Sequence, residues 1–217
     1  MGRRKVPVIS FVGRSNTGKT TLLEKVIPLL RSRGFRVGTI KHHAGEFEID
    51  QEGKDSYRHK KAGATATMIT SPTKVALVED ISRELTLSEV IKRYMHEVDL
   101  VITEGYKRER MPKVELYVHG RGDAPLARED PDIIAIATDG PAIAADAPVD
   151  ELIDVHVPVF SRDEPEPIVD LIVKRLKLGS RAERAGSRVQ KRLNQILNPI
   201  SKFSPALLGV VPDFDTV

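Results

Sequence analysis

The stretch VISFVGRSNTGKTTLLEKVIPLL (Val8–Leu30) changes character twice. It opens within an apolar, β-branched run, residues 6–12, which reads as a strand buried on both faces, as in a parallel sheet. From Lys19 onward the apolar residues fall at Leu22/Leu23, Val26/Ile27 and Leu29/Leu30, a helical spacing. Between strand and helix, Gly13-Arg14-Ser15-Asn16-Thr17-Gly18-Lys19-Thr20 satisfies every fixed position of G-x-x-x-x-G-K-[ST]. Glycine lets the backbone turn tightly and approach phosphate oxygens with no Cβ in the way. Successive N–H groups form a nest for anions, and the following helix adds its positive N-terminus. Lys19 supplies a point charge for β- and γ-phosphates, and Thr20 offers a hydroxyl to Mg²⁺. A second Gly-Lys pair, Gly53-Lys54, has neither the preceding strand nor the Ser/Thr and reads as loop.

Outward from this loop, strand-like and helix-like runs alternate. Strands are expected in RVGTIKHH (36–43), ATMIT (66–70), KVALVED (74–80), DLVITEG (99–105), VELYVH (114–119) and IIAIATD (133–139). Helices are expected in DSYRHKKAGA (55–64, Asp55 as N-cap), LTLSEVIKRYMHEV (85–98) and EPIVDLIVKRLKL (166–178). The alternation predicts an α/β P-loop NTPase fold, a mostly parallel sheet with helices on both faces, which binds ligands beyond the carboxyl ends of its strands.

That polarity sorts the acidic residues. A phosphate loop needs a carboxylate on a neighbouring strand to hold the metal's water shell. DLVITEG begins with Asp99 and ends with Glu104, and five residues of strand span about 16 Å. Only Glu104 stands at the phosphate end, so it is the candidate metal-side carboxylate, where aspartate is the usual residue. Asp50, in the polar loop after the second strand, is a candidate outer-shell ligand. His42 and His43 are adjacent, point to opposite sides of a strand and make a poor chelating pair. Asp139, just past a buried strand, is placed to accept from a guanine's N1–H and N2–H₂; no N-K-x-D guanine reader occurs in the chain. Arg108, Arg110 and Lys113 offer cations for a lid, a second phosphate or mere solubility.

Composition bounds the rest. The chain has 217 residues, 40 % hydrophobic, and no cysteine, which excludes disulfides, thiolate catalysis and Cys-ligated metals and fits a reducing cytoplasm. No apolar run is long enough to span a membrane, and no secretory h-region follows the basic start, so a cytoplasmic protein is expected. Net charge is +3. Residues 174–192 hold eight basic side chains against Glu183 alone, a local +7 that leaves −4 elsewhere. The basic pI therefore belongs to the tail and argues no nucleic-acid partner. The reading divides the chain into a nucleotide-binding domain, 1–178, and a basic amphipathic C-terminal extension, 179–217. Ser180 and Glu183 form a capping box there, and Val189, Leu193, Ile196/Leu197 and Ile200 share one helical face, expected to dock on the body.

The phosphate loop, the stretch Lys41 through Ala64 (KHHAGEFEIDQEGKDSYRHKKAGA) and TEGYK (Thr103–Lys107) together resemble the molybdopterin-guanine dinucleotide biosynthesis protein B family. The resemblance runs roughly from Val6 to Leu178. It implies a GTP-binding, Mg²⁺-dependent adapter with weak GTPase activity. Such adapters act where GMP is joined to molybdopterin, beside a separate guanylyltransferase and as homodimers. It also implies a nucleotide cradle of Gly13, Ser15, Asn16, Thr17, Gly18, Lys19, Thr20 and Thr21, with Asp50 and Glu104 on the metal side. The competing readings are a small-molecule kinase on the same fold and a metal-delivery GTPase, the latter disfavoured by the absence of cysteine.

Overall fold

The computed structural model describes residues 5–43, 45–121, 123–139 and 155–179. The chain divides into two compact units, Met1–Ile172 and Val173–Val217. Most of the second unit, with the amphipathic face read between residues 189 and 200, lies outside the described residues.

The first unit is built on a six-stranded sheet in the order β2-β5-β1-β6-β7-β8. Its strands are β1 (Val8–Gly13), β2 (Val37–Lys41), β5 (Leu100–Glu104), β6 (Lys113–Tyr117), β7 (Ile133–Thr138) and β8 (Val159–Ser161). Every pairing between them is parallel. Ile9, Phe11, Leu100, Ile102, Val114 and Ile136 are fully buried, as the continuous apolar runs demand of strands covered on both sides. β8, only three residues long, is too short to announce itself in the sequence.

Helix α1 (Lys19–Ser32) buries Leu22, Leu23, Val26 and Leu30. It ends where Gly34 takes φ +80. The connection from β1 to β2 runs one way across the sheet and that from β2 to β5 runs back. The right-handed rule for parallel crossovers therefore sets α1 and α3 (Leu87–Tyr94) on opposite faces. α3 starts with a capping box, Thr86 with Glu89, and is shorter than its apolar pattern suggested. The chain just after it packs on β2 at Gly38, where a Cβ would lie 2.9 Å from Met95 Sδ and 3.2 Å from Val98 Cγ1.

One expectation at an element end needs correction. Asp55 is the first residue of α2 (Asp55–Lys61), whose cap position is Lys54 with no side-chain capping bond. Asp99 Oδ2 accepts from the Arg36 N–H at 2.7 Å and so ties the starts of β2 and β5 together. The runs at 66–70 and 74–80 do not join the main sheet. They form an antiparallel hairpin, β3 (Ala66–Thr70) and β4 (Val75–Glu79), in a sheet of its own. α4 (Glu166–Arg175) buries Ile168, Val169 and Ile172.

Candidate phosphate-binding site

The loop after β1 is shaped by glycines that no other residue replaces. Gly13 has φ +146, and a Cβ on it would stand 2.6 Å from Leu116 O and 3.1 Å from Thr17 Oγ1. Gly18 has φ +87 at the cap position of α1, and Asn16, the residue type that best tolerates it after glycine, has φ +59. Buried Thr17 donates its hydroxyl to Arg14 O at 3.0 Å and braces the loop from within. α1 starts with no side-chain capping bond and no acidic residue in its first turn. Its leading N–H groups and positive dipole end thus face the loop without a carboxylate from the helix.

Lys19 curls back over the loop, its Nζ donating to Arg14 O at 2.6 Å and Gly13 O at 3.4 Å. These carbonyls hold the ammonium at the loop's mouth. Burial depresses its pKa below the ordinary lysine value; the Glu104 carboxylate opposes this, while Lys107 and Lys41 push it further down. Lys19 thus feels one carboxylate and two further cations. Lys41 pairs with Glu104 in the β2–β5 register, and Phe11 pairs with Glu104 on its other side. Thr20 Oγ1 lies 3.4 Å from Glu104 Oε2. Ser15 and Thr21 lie on the same loop and first helical turn.

The loops after β2 and β5 are fastened to each other. His42 N donates to Glu104 O at 3.0 Å, and the His42 ring packs on Tyr106 with centroids 4.7 Å apart. His42 Nε2 lies 3.0 Å from Glu84 Oε1. Tyr106 adopts φ +46 directly after Gly105 at φ +100, strained backbone for a residue with a Cβ. Buried Ser10 donates to Gly105 O at 3.0 Å, which anchors this turn to the sheet.

On the other side of β1 stand groups that sequence reading largely passed over. Asp139 follows β7; its Oδ1 accepts from His119 N at 3.2 Å. Arg162, after β8, points Nη1 at Thr17 O, 3.4 Å away. Arg121 Nη1 reaches Ser15 O at 3.3 Å, and Arg14 Nε pairs with Asp123 Oδ2 at 2.8 Å. Buried Glu115 holds the turn 126–128, its carboxylate accepting from Leu126 N at 2.7 Å and Ala127 N at 2.9 Å. Arg162 and Arg121 were missed because each is a lone arginine in a loop. Only the proximity of their strands to the glycine loop singles them out.

Two further expected residues make hydrogen bonds or ion pairs of their own. Asp50 Oδ1 accepts from the next residue's N–H, Gln51, at 2.8 Å, a local turn contact. Lys113 is excluded from any lid: it is buried at the start of β6, with Nζ 2.7 Å from Asp130 Oδ2 and 3.9 Å from Asp132 Oδ2. Leu116, three residues on, lies beside Gly13, so about 10 Å of strand separates Lys113 from the loop.

A parallel sheet whose first strand runs through a glycine-lysine loop into a helix defines an α/β protein of the phosphate-loop class. The model of the MobB family, molybdopterin guanine dinucleotide synthesis protein B, matches residues 8–139. The chain belongs to this family. It is 34 % identical over 177 residues to the molybdopterin-guanine dinucleotide biosynthesis adapter protein of Escherichia coli, covering 80 % of this chain and 95 % of that one. The Haemophilus influenzae protein of the same description is 36 % identical over 138 residues, covering 63 % of this chain and 77 % of its own length. Among solved structures, a molybdopterin-guanine biosynthesis protein B matches with a TM-score of 0.59 at 30 % identity, covering 78 % of this chain and 99 % of that chain. A Bacillus stearothermophilus MobB homologue matches with a TM-score of 0.56 at 28 % identity, over 78 % of this chain and 97 % of that one.

Proposed function

We propose that this protein is a GTP-binding, Mg²⁺-dependent adapter that supports a separate guanylyltransferase as it joins GMP to molybdopterin, with only slow GTP hydrolysis of its own. The observation that carries the reading is the juxtaposition of Lys19, Thr20 and Glu104 at the start of α1. N–H groups of residues 13–20 cradle the phosphates, and Lys19 exchanges the loop carbonyls for phosphate oxygens. The Thr20 hydroxyl would hold Mg²⁺ and Glu104 would hold its water shell, and the ion would supply charge neutralisation on the β- and γ-phosphates. Asp139 accepts from guanine on the far side of the loop. Asp50 is the proposed outer-shell group.

The adapter is preferred over a kinase because Lys113 is committed to Asp130 and Asp132 within the sheet. Among the described residues no helix is long and apolar enough to cross a membrane, in keeping with a proposed cytoplasmic location. A homodimer is supported by the β3–β4 hairpin, which exposes Met68, Ile69, Val75 and Leu77. A lone two-stranded hairpin is marginally stable and presents open edges that a second copy satisfies. Calorimetric titration with GTP and ATP, each with and without Mg²⁺, tests the proposal: GTP should bind more tightly than ATP, and Mg²⁺ should strengthen it. Equal affinity for both nucleotides would remove the guanine assignment.

A further inference from the structure

We propose that Arg162 is the base platform of the nucleotide site, a specificity-determining residue whose guanidinium plane stacks on the purine while Asp139 reads its edge. The inference rests on the reading of the loop at residues 13–20 as a GTP site.

The sheet order sets the geometry. Glu104 ends β5 on one side of β1, whereas Asp139 and Arg162 follow β7 and β8 on the other. From β5 to β7 is three strand spacings, about 14 Å. An extended nucleoside triphosphate with its γ-phosphate at Thr20 and Glu104 therefore lays its base at the ends of β7 and β8. Arg162 stands there by construction. Its N–H donates to Thr138 O at 2.8 Å, which locks it beside Asp139, and Thr138 is the register partner of Ser161. From α1, Lys25 Nζ donates to Asp163 Oδ1 at 2.8 Å and reaches Arg162 O at 3.4 Å. The helix that begins at the phosphate loop thus also holds the backbone of Arg162.

The side chain is aimed across the loop. Its Nη1 is 3.4 Å from Thr17 O and 3.4 Å from where a Cβ on Gly18 would be. Its Nη2 is 4.0 Å from Asp139 Oδ2, with 35 % of the Arg162 side chain and 27 % of the Asp139 side chain exposed. The N–H groups of a guanidinium lie in its plane, so contacts to Thr17 and Asp139 use the edge and leave a flat face for an aromatic ring. At 4.0 Å the pair is ionic without a hydrogen bond. Asp139 Oδ2 therefore keeps lone pairs for the two N–H groups of guanine, while Oδ1 is occupied by His119 N. One arginine orients the reader by charge and stacks the base it reads. This supplies what the missing N-K-x-D segment would otherwise provide.

The test is titration of the full chain, wild type, Arg162→Ala and Arg162→Lys, with GTP, ATP and inorganic tripolyphosphate in Mg²⁺. Circular dichroism melts establish that each variant is folded. Stacking on a planar cation predicts a loss of about tenfold in GTP affinity for Arg162→Ala. Tripolyphosphate affinity stays unchanged. Arg162→Lys keeps the charge without the plane, so its GTP affinity remains below wild type. Parallel losses for GTP and tripolyphosphate in Arg162→Ala would show that the arginine only braces the phosphate loop, and would overturn the inference. So would wild-type GTP affinity in Arg162→Ala. Wild-type protein that binds tripolyphosphate but neither nucleotide overturns the guanine reading and this inference together. Should Arg162→Ala fail to fold, Arg162→Lys decides alone, and a GTP affinity equal to wild type rejects the stacking role.

Discussion

Thr20 Oγ1 and Glu104 Oε2 stand 3.4 Å apart although 84 residues separate them in the chain. The contact exists because β1 and β5 are parallel neighbours, so the helix leaving one and the last residue of the other meet at the same edge. It gives a hydroxyl and a carboxylate a common focus at the mouth of the phosphate loop. Outer-shell carboxylates at metal sites are worth roughly 10–100-fold in metal affinity. Glu104→Gln should therefore weaken Mg²⁺-supported GTP binding by about that factor and leave binding in EDTA nearly unchanged. Paired titrations with and without the metal check it, and equal losses in both conditions would assign Glu104 a merely structural part.

Lys19→Ala removes the ammonium that Gly13 O and Arg14 O now hold. A charge-assisted hydrogen bond is worth about 1.5–3 kcal/mol. GTP affinity should fall at least tenfold while the melting temperature hardly moves, since the ammonium's present partners are two carbonyls of its own loop and the nearer, Arg14 O, is an exposed contact. Isothermal titration with a parallel melt separates the two effects.

The depressed pKa of Lys19 also has a pH signature. The folded chain without ligand binds fewer protons at this site than the unfolded chain, so this group's contribution to stability rises with pH as the native ammonium deprotonates below 10.5. A bound polyphosphate favours the ammonium. GTP binding should thus take up protons at alkaline pH and weaken at a pH lower than an ordinary lysine would dictate. Calorimetry in two buffers of different ionisation enthalpy reads the proton count directly; an absence of uptake up to pH 10 would contradict it.

At α3, Glu89 donates no proton and accepts from Thr86 N at 2.9 Å and from Arg83 Nη2 at 2.6 Å. These contacts, the Arg83 hydrogen bond foremost, lower its pKa to about 2. The stability it contributes is complete above the unfolded value of 4.5 and is lost as pH falls toward 2. Urea midpoints of wild type and Glu89→Gln should differ at pH 7 and converge near pH 2. Thr86→Ala, which removes the cap hydroxyl, should cost about 1 kcal/mol at pH 7.

The hairpin offers a test of assembly. Met68 and Leu77 are cross-strand partners, and Met68 is 58 % exposed. If a second copy covers this face, Met68→Glu should shift the protein toward monomer in analytical ultracentrifugation with GTP affinity intact. An unchanged sedimentation coefficient would place the dimer contact elsewhere.

Much of the shape of the candidate phosphate loop was legible in the sequence. Glycine at positions 13 and 18, Lys19 and Thr20 are demanded by backbone geometry and phosphate chemistry acting over eight residues, so the requirement is written locally. Glu104 was legible for a related reason: an apolar run ending in a carboxylate marks the carboxyl edge of a buried strand. The hairpin strands were legible as strands but not as a separate sheet, because β-propensity does not name the partner. Asp55 was misjudged as a cap, since a side chain near a helix start has several backbone donors within reach and only packing selects one.

What the chain determined by itself was the glycine loop that is the candidate anion cradle and the alternation of strand and helix, both consequences of short-range sterics, hydrogen bonding and hydrophobic period. What tertiary structure alone decided was the order of strands across the sheet, and with it which distant side chains share the cradle. Arg162 beside Asp139, Thr20 beside Glu104 and Lys113 withdrawn to Asp130 follow from strand neighbours chosen by burial of both sheet faces, a condition on the whole core that no single segment encodes.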